Sequence, residues 1–310
     1  SWSGTPVRPG VAEEWDGGEL AGHAAKLWAQ PATETWDLFG QYEDFSDDFR
    51  ADNGFVPQVG YRMLYVESGR TWRPVDKPVS RLRLFVIADR AETQGGELLS
   101  QELIPGLGLD ATWNSFVRFE FAFDEIVDQG VTYERFRFRP RFEIRPGKIL
   151  QQVTLQAVYG DDVDFANHRP GDGWQATVTA DLQPTDHLAL GLSAARRTLD
   201  VDAAAAGSAL SGTLFTADLA RLRVIYTFNA RSWLRLIGEW AGTERDPALY
   251  TFAVAPSSAD FAGSAVFAYK LNWQTVFFLG VGDERTQDPN GDLQPLGRQA
   301  FFKISYAFQR

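Results

Sequence analysis

The 310-residue sequence predicts an all-β fold, an antiparallel transmembrane β-barrel of about 16 strands forming one domain over 1–310, from three observations. Apolar and polar residues alternate strictly over segments of about 9–14 residues, the period of a strand with one buried face. Aromatics make up 14% of the chain, with 23 Phe and 10 Trp, yet no run of about 20 apolar residues exists that could cross a membrane as a helix. Connections read back from the C-terminus alternate long and short, as they do in barrels with outer loops and periplasmic turns.

The strands follow in order. Alternating runs lie near 20–30, 33–43, 59–68, 79–92 and 97–112. Residues 115–124 set Val117, Phe119, Phe121 and Phe123 against Arg118, Glu120 and Asp124. Residues 135–144 set Phe136, Phe138, Phe142 and Ile144 against Arg135, Arg137, Arg139, Arg141 and Glu143. Runs near 149–160, 171–182 and 187–198 precede residues 221–228, where Leu222, Val224, Tyr226 and Phe228 oppose Arg221 and Arg223. Runs near 232–243, 260–271 and 274–284 lead to the last strand, with Phe302, Ile304, Tyr306 and Phe308 on one face and Lys303, Ser305 and Ala307 on the other. A soluble β-sandwich also alternates, but with strands of about 5–6 residues. Trp113, Tyr159, Trp174, Trp240, Tyr269 and Trp273 fall near strand ends, where an interfacial girdle would place them.

Segments 285–297, 244–259, 199–210 and 161–170 read as long loops, alternating with turns at 272–273, 229–231, 184–186 and 146–148. The alanine run Ala203–Ala206 reads as loop. About fifteen strands is odd, and a closed single-chain barrel of this kind has an even number. A further strand is therefore expected upstream, or from Ser1–Val7.

The composition excludes several function classes. There are no cysteines and only 3 His, so thiolate chemistry is excluded and an imidazole-rich metal centre is not expected. A net charge of −11 argues against a nucleic-acid partner. His23, His168 and His187 are scattered, and no Gly-x-Ser-x-Gly elbow occurs. The expectation is a protein that is not an enzyme, with an outer-membrane hydrolase as the third reading.

Two stretches carry a family resemblance: residues 45–62, from Phe45-Ser46-Asp47-Asp48-Phe49 to Gly60-Tyr61-Arg62, and residues 271–283, from Leu271-Asn272-Trp273 to Gly282-Asp283. Both resemble the C-terminal part of an uncharacterised family of outer-membrane barrels whose longer members carry an N-terminal carbohydrate-binding-like module. The resemblance implies a location in the bacterial outer membrane more than an activity, and this chain lacks the module. Tyr306 and Phe308 also resemble the aromatic last-strand signal read by the barrel-assembly machinery. The chain departs from it in ending Gln309-Arg310 and in placing Lys303 where a small residue is often found.

The sharpest chemical feature is the arginine ladder Arg135, Arg137, Arg139 and Arg141 on one face of one strand. The opposite parity is apolar, so the ladder faces the lumen, because a charge facing lipid would cost about 2–4 kcal/mol near the midplane. Arg81, Arg83, Arg118, Arg221, Arg223, Arg235 and Lys303 join it by parity, as do the carboxylates Glu120, Asp124, Glu143, Asp89 and Glu239. Two roles are open: a basic pore lining that selects anions, or a structural network of Arg with carboxylates. Acidic segments offer weak Ca²⁺ candidates: Asp288, Asn290 and Asp292; Asp161, Asp162 and Asp164; and Asp47, Asp48, Asp52 and Asn53. None has the spacing of an EF-hand loop, and no other cofactor is indicated.

The leading functional reading is a passive pore or export conduit for polar, anionic or saccharide solutes. The alternative is a barrel plugged by its own side chains, acting through outer loops on a protein or glycan partner. Leu249, Tyr250, Phe252 and Val254 in the 244–259 loop favour a segment that folds inward or docks a partner. Outer-membrane lipid and lipopolysaccharide are the expected surroundings.

Overall fold

The computed structural model of the chain describes residues 21–50, 56, 58–75, 77–202 and 211–308. Ser1–Val7, Ala203–Ala206, the Asp52 and Asn53 candidates, and positions 51–55 and 57 of the first family-like stretch lie outside the described residues.

Among the described residues fifteen strands form: β1 (Ala24–Ala29), β2 (Trp36–Phe45), β3 (Tyr61–Trp72), β4 (Val79–Thr93), β5 (Leu98–Ala111), β6 (Ser115–Asp128), β7 (Val131–Ile144) and β8 (Leu150–Asp164). They continue as β9 (Arg169–Thr185), β10 (Leu188–Val201), β11 (Gly212–Asn229), β12 (Ser232–Arg245), β13 (Ser257–Lys270), β14 (Thr275–Gln287) and β15 (Leu293–Tyr306). All belong to one sheet, and each strand neighbours the next in sequence. This is the antiparallel all-β class read from the alternation, with the strand order of an up-and-down barrel. Among the described residues there is no α-helix, only two 3₁₀ turns.

The connections differ from expectation at two of the four long loops. β8 runs on to Asp164 and β9 begins at Arg169, so most of 161–170 is paired strand. β14 runs to Gln287 and β15 begins at Leu293, so most of 285–297 is strand as well. Asp, Gly and Arg at these tips read as loop by composition, but their backbone groups satisfy each other across the hairpin, which any residue can do. The segment between β12 and β13 is a long connection, as expected, whereas 203–210 of the 199–210 loop lies outside the described residues.

The chain divides into two compact units, Ser1–Asp110 with Arg118–Arg139, and Ala111–Val117 with Pro140–Arg310. In the first unit, one face carries exposed Leu64, Leu84, Leu103, Phe121, Phe123 and Phe136. Phe123 and Phe136 meet at 5.0 Å and Phe121 and Phe138 at 5.2 Å. The other face bears the arginine ladder, Arg83, Arg118 and their acids, together with a small apolar cluster of Phe85, Ile87, Ile104 and Ala122, against which Tyr65 packs, whereas Arg70 and Arg90 share the apolar face opposite Leu84 and Leu64. Phe85 lies beneath two guanidiniums, Arg118 at 4.1 Å and Arg83 at 5.0 Å from the ring centre. Gly106 makes this possible: a Cβ there would stand 2.2 Å from the Phe85 ring and 2.9 Å from the Phe119 carbonyl oxygen. Gly106→Ala is expected to push Phe85 off its site and lower stability by about 1–3 kcal/mol. Urea titration of the refolded protein checks this, and an unchanged midpoint would mean that the ring moves freely.

The second unit has the same two faces. Its apolar face includes the directly opposed pair Tyr159 and Trp174, then Leu222, Tyr226, Leu236, Trp240, Phe267 and Leu279. Along β13, Phe261, which is opposite Trp240, and Tyr269 are eight positions apart, a length of about 26 Å.

Candidate functional site

The polar face of the first unit is an ion-pair network built by strand parity. Asp124 of β6 is buried and takes two rungs of the ladder, Arg135 (2.5 Å) and Arg137. Glu102 of β5 takes Arg139 and, at 3.4 Å, Arg137. Three guanidiniums with side chains 8%, 11% and 19% exposed are thus interleaved with two carboxylates. Arg83 is shared by Asp37 and, at 2.8 Å, Glu67. Arg81 meets Asp110 at 2.5 Å, Arg118 meets Glu120 at 2.6 Å, and Lys26 meets Glu43 at 2.7 Å. Tyr65 and Tyr61 donate to Glu67 and Glu43, both at 3.0 Å. Fixed, paired guanidiniums of this kind rigidify a sheet and leave little field for a mobile ion.

In the second unit the cations are looser. Arg221 stands opposite Glu239 at 3.7 Å and Arg223 reaches Asp181 at 3.6 Å, each with its side chain half exposed. Arg141 pairs with Glu143 at 3.1 Å, and Glu143 also holds Arg145 at 2.6 Å. Arg235 lies 6.0 Å over the Trp233 ring, and its buried Nε has no hydrogen-bond partner among the described residues. Lys303 is opposite Phe278 on β15. The residues grouped by parity therefore fall into a locked set on β4, β6 and β7 as far as Arg139, an Arg141–Glu143 pair at the end of β7, and a set on β11, β12 and β15, Arg221, Arg223, Arg235 and Lys303, of which Arg221 and Arg223 are half exposed.

A second device was only half visible in sequence. The segment between β12 and β13 enters a 3₁₀ turn at Pro247–Leu249, capped by Asp246, whose carboxylate accepts the Ala248 N–H at 3.0 Å. Leu249 is then buried among Leu199, Val201 and Leu214, with Phe215 and Tyr250 alongside. Leu199 and Val201 continue the parity of Arg197, so the segment lies against the polar face. Arg169 at the start of β9 fastens it: Nε donates to Asp164 at 2.8 Å and Nη2 donates to the Leu249 carbonyl. Asn167 donates to Asp164 at 2.7 Å and accepts from the Thr251 N–H and hydroxyl, each at 2.8 Å. Burial pushes the Tyr250 phenol above its ordinary pKa. The apolar residues of this segment signalled burial, but Arg169 and Asp164 carried no signal beyond a hairpin tip.

Two of the three calcium candidate sets have oxygens engaged by the chain itself. Asp288 turns its oxygens on its own loop, accepting the N–H of Asn290 at 2.9 Å and of Asp292 at 3.0 Å, and the Gln294 amide at 3.2 Å. The Asp292 N–H in particular holds its carboxyl below the usual carboxylate range. Asp161, Asp162 and Asp164 sit on β8, not in a loop, with Asp162 against Arg197 at 2.9 Å. Tyr306 ends β15 with the Phe308 ring 4.8 Å away.

No family model matches the chain, and no curated protein matches it. Among solved structures, it is similar to in-vitro folded OmpT, an outer membrane protein of Vibrio cholerae, with 9% identity over 91% of this chain and 94% of that chain and a TM-score of 0.32.

Proposed function

We propose that the chain forms the wall of a bacterial outer-membrane β-barrel that conducts small polar solutes, with ion preference set by Arg221 and Arg223, not by the ladder. The observation that carries this reading is the division of the sheet into two faces. One presents Leu, Phe, Tyr and Trp to the surroundings, with the Arg196–Asp218 pair and Asp283 with Arg285 and Arg298 as its charged spots, while the other collects the arginine ladder and its acids. In water the first face would be an aggregation surface; in a bilayer it is the hydrocarbon-facing band, and its length along β13 suits a tilted crossing. The resemblance to the uncharacterised outer-membrane family points to the same location. The plugged-barrel reading, with outer loops that bind a protein or glycan, is favoured by one observation, the pinning of Leu249 against the polar face.

Single-channel conductance of the refolded protein in a planar bilayer, under a KCl gradient, tests the pair. A steady open conductance with anion preference supports the pore. Serine at Arg221 and Arg223 is then expected to reduce that preference, because half-exposed cations act on passing ions. Serine at Arg137 and Arg139 is expected to lower stability more than selectivity. Silence from a folded, heat-modifiable protein supports the plugged form.

A further inference from the structure

On the apolar face of the last three strands, the side chains become small where neighbouring rows are large. Ala265, Val281 and Ala300 form one cross-strand row, with Gly263, Asp283 and Arg298 above it. Phe267, Leu279 and Phe302 wall the row below, and Phe261 opposite Arg285 walls it above. The result is a hollow of about 630 Å³ with an aliphatic floor and one charged end. At that end Asp283 accepts Arg285 Nε at 2.6 Å and Arg298 Nε at 2.7 Å. One carboxylate thus orients two guanidiniums, leaving a net charge of +1 and the Nη groups of both outside these two bonds. Arg285 and Arg298 are 39% and 67% exposed.

We infer that this hollow binds a lipid with a phosphate headgroup, its acyl chain lying over Ala265, Val281 and Ala300 and its phosphate taken by Arg285 and Arg298. The inference rests on the membrane reading above. Guanidinium forks match phosphate oxygens in a bidentate manner, and two of them held by one acid form an anion seat that needs no rearrangement. The apolar floor decides between a lipid and a soluble phosphate. It is continuous with exposed Leu279, Val281 and Phe302, so an anion without a chain would leave that surface uncovered. Trp240, opposite Phe261, stands beside the charged end, at the depth where a headgroup boundary suits an indole.

The test uses the full refolded chain in detergent, offered equal amounts of dioleoyl phosphatidic acid and dioleoyl phosphatidylcholine, with retained lipid read by native mass spectrometry. One phosphatidic acid is expected to be retained per chain, with about tenfold preference. The double variant Arg285→Ser/Arg298→Ser is expected to abolish the preference, and Ala265→Leu, which fills the floor, to reduce retention while leaving the guanidiniums in place. Equal retention of both lipids overturns the inference, as does displacement of the lipid by inorganic phosphate, which would mark a plain anion site. Insertion into phosphatidylcholine vesicles, scored by a heat-dependent gel shift, is measured alongside. A chain that inserts without the preference overturns only the lipid site, whereas a chain that fails to insert overturns the membrane reading too.

Discussion

Alanine at Asp124 is expected to lower stability by about 3–5 kcal/mol, the largest loss from any single change on the polar face. Asp124 is 6% exposed and is the carboxylate shared by Arg135 and Arg137, whose side chains are 8% and 11% exposed. Its removal strands positive charge in a poorly solvated place, with Arg139 adding repulsion from the next rung. The penalty comes from the uncompensated charge more than from the loss of an attraction. Replacing all three groups, as Asp124→Leu with Arg135→Met and Arg137→Met, is therefore expected to recover most of the stability. Urea titration of the protein refolded into vesicles, read by the heat-dependent gel shift, compares the two. A single variant within about 1 kcal/mol of the parent would show that the ladder is solvated, and would return it to the list of groups that act on ions.

Arg169→Ala should release the segment between β12 and β13. Arg169 and Asp164 are 7% and 3% exposed, so the variant removes the link to Leu249 and takes the cation from a buried acid. The local opening free energy is expected to fall by about 3 kcal/mol, which is about a hundredfold in opened population. Trypsin cleavage after Arg245, at the end of β12, should accelerate by that order while the rest of the sheet stays resistant. Leu249→Ala should act in the same direction, through the lost packing against Leu199, Val201 and Leu214. If the segment obstructs a pore, conductance rises in both variants. Unchanged cleavage would show that the hairpin contacts are incidental.

Alternation was enough to find the strands, because a wrong parity would turn the arginine ladder and its carboxylates onto the apolar face. It also placed Asp124, Glu120 and Glu143 beside the ladder. It could not say who pairs with whom, since pairing depends on register and side-chain reach. Arg139 takes Glu102, which lies 37 residues earlier, and nothing in the local sequence marks that acid. The hairpin tips were misread for a related reason. Asp161, Asp162 and Asp164 look like loop residues, yet the strand pairing holds their backbone while Asp162 pairs with Arg197 and the buried Asp164 with Arg169. The hollow among β13, β14 and β15 is legible only as a run of small residues, and its charged end depends on three side chains meeting across two strands.

The strand order has a consequence for how such a sheet changes size. Since each strand pairs only with its sequence neighbours, no segment is threaded through another. Deleting β13 and β14 together would bring β12 against β15, still antiparallel and still with polar parity facing one way. Duplicating a hairpin would widen the sheet without rerouting the chain. The sheet can therefore grow or shrink by whole hairpins, about thirty residues at a time, and its strand number becomes a trait that one contiguous insertion or deletion can change.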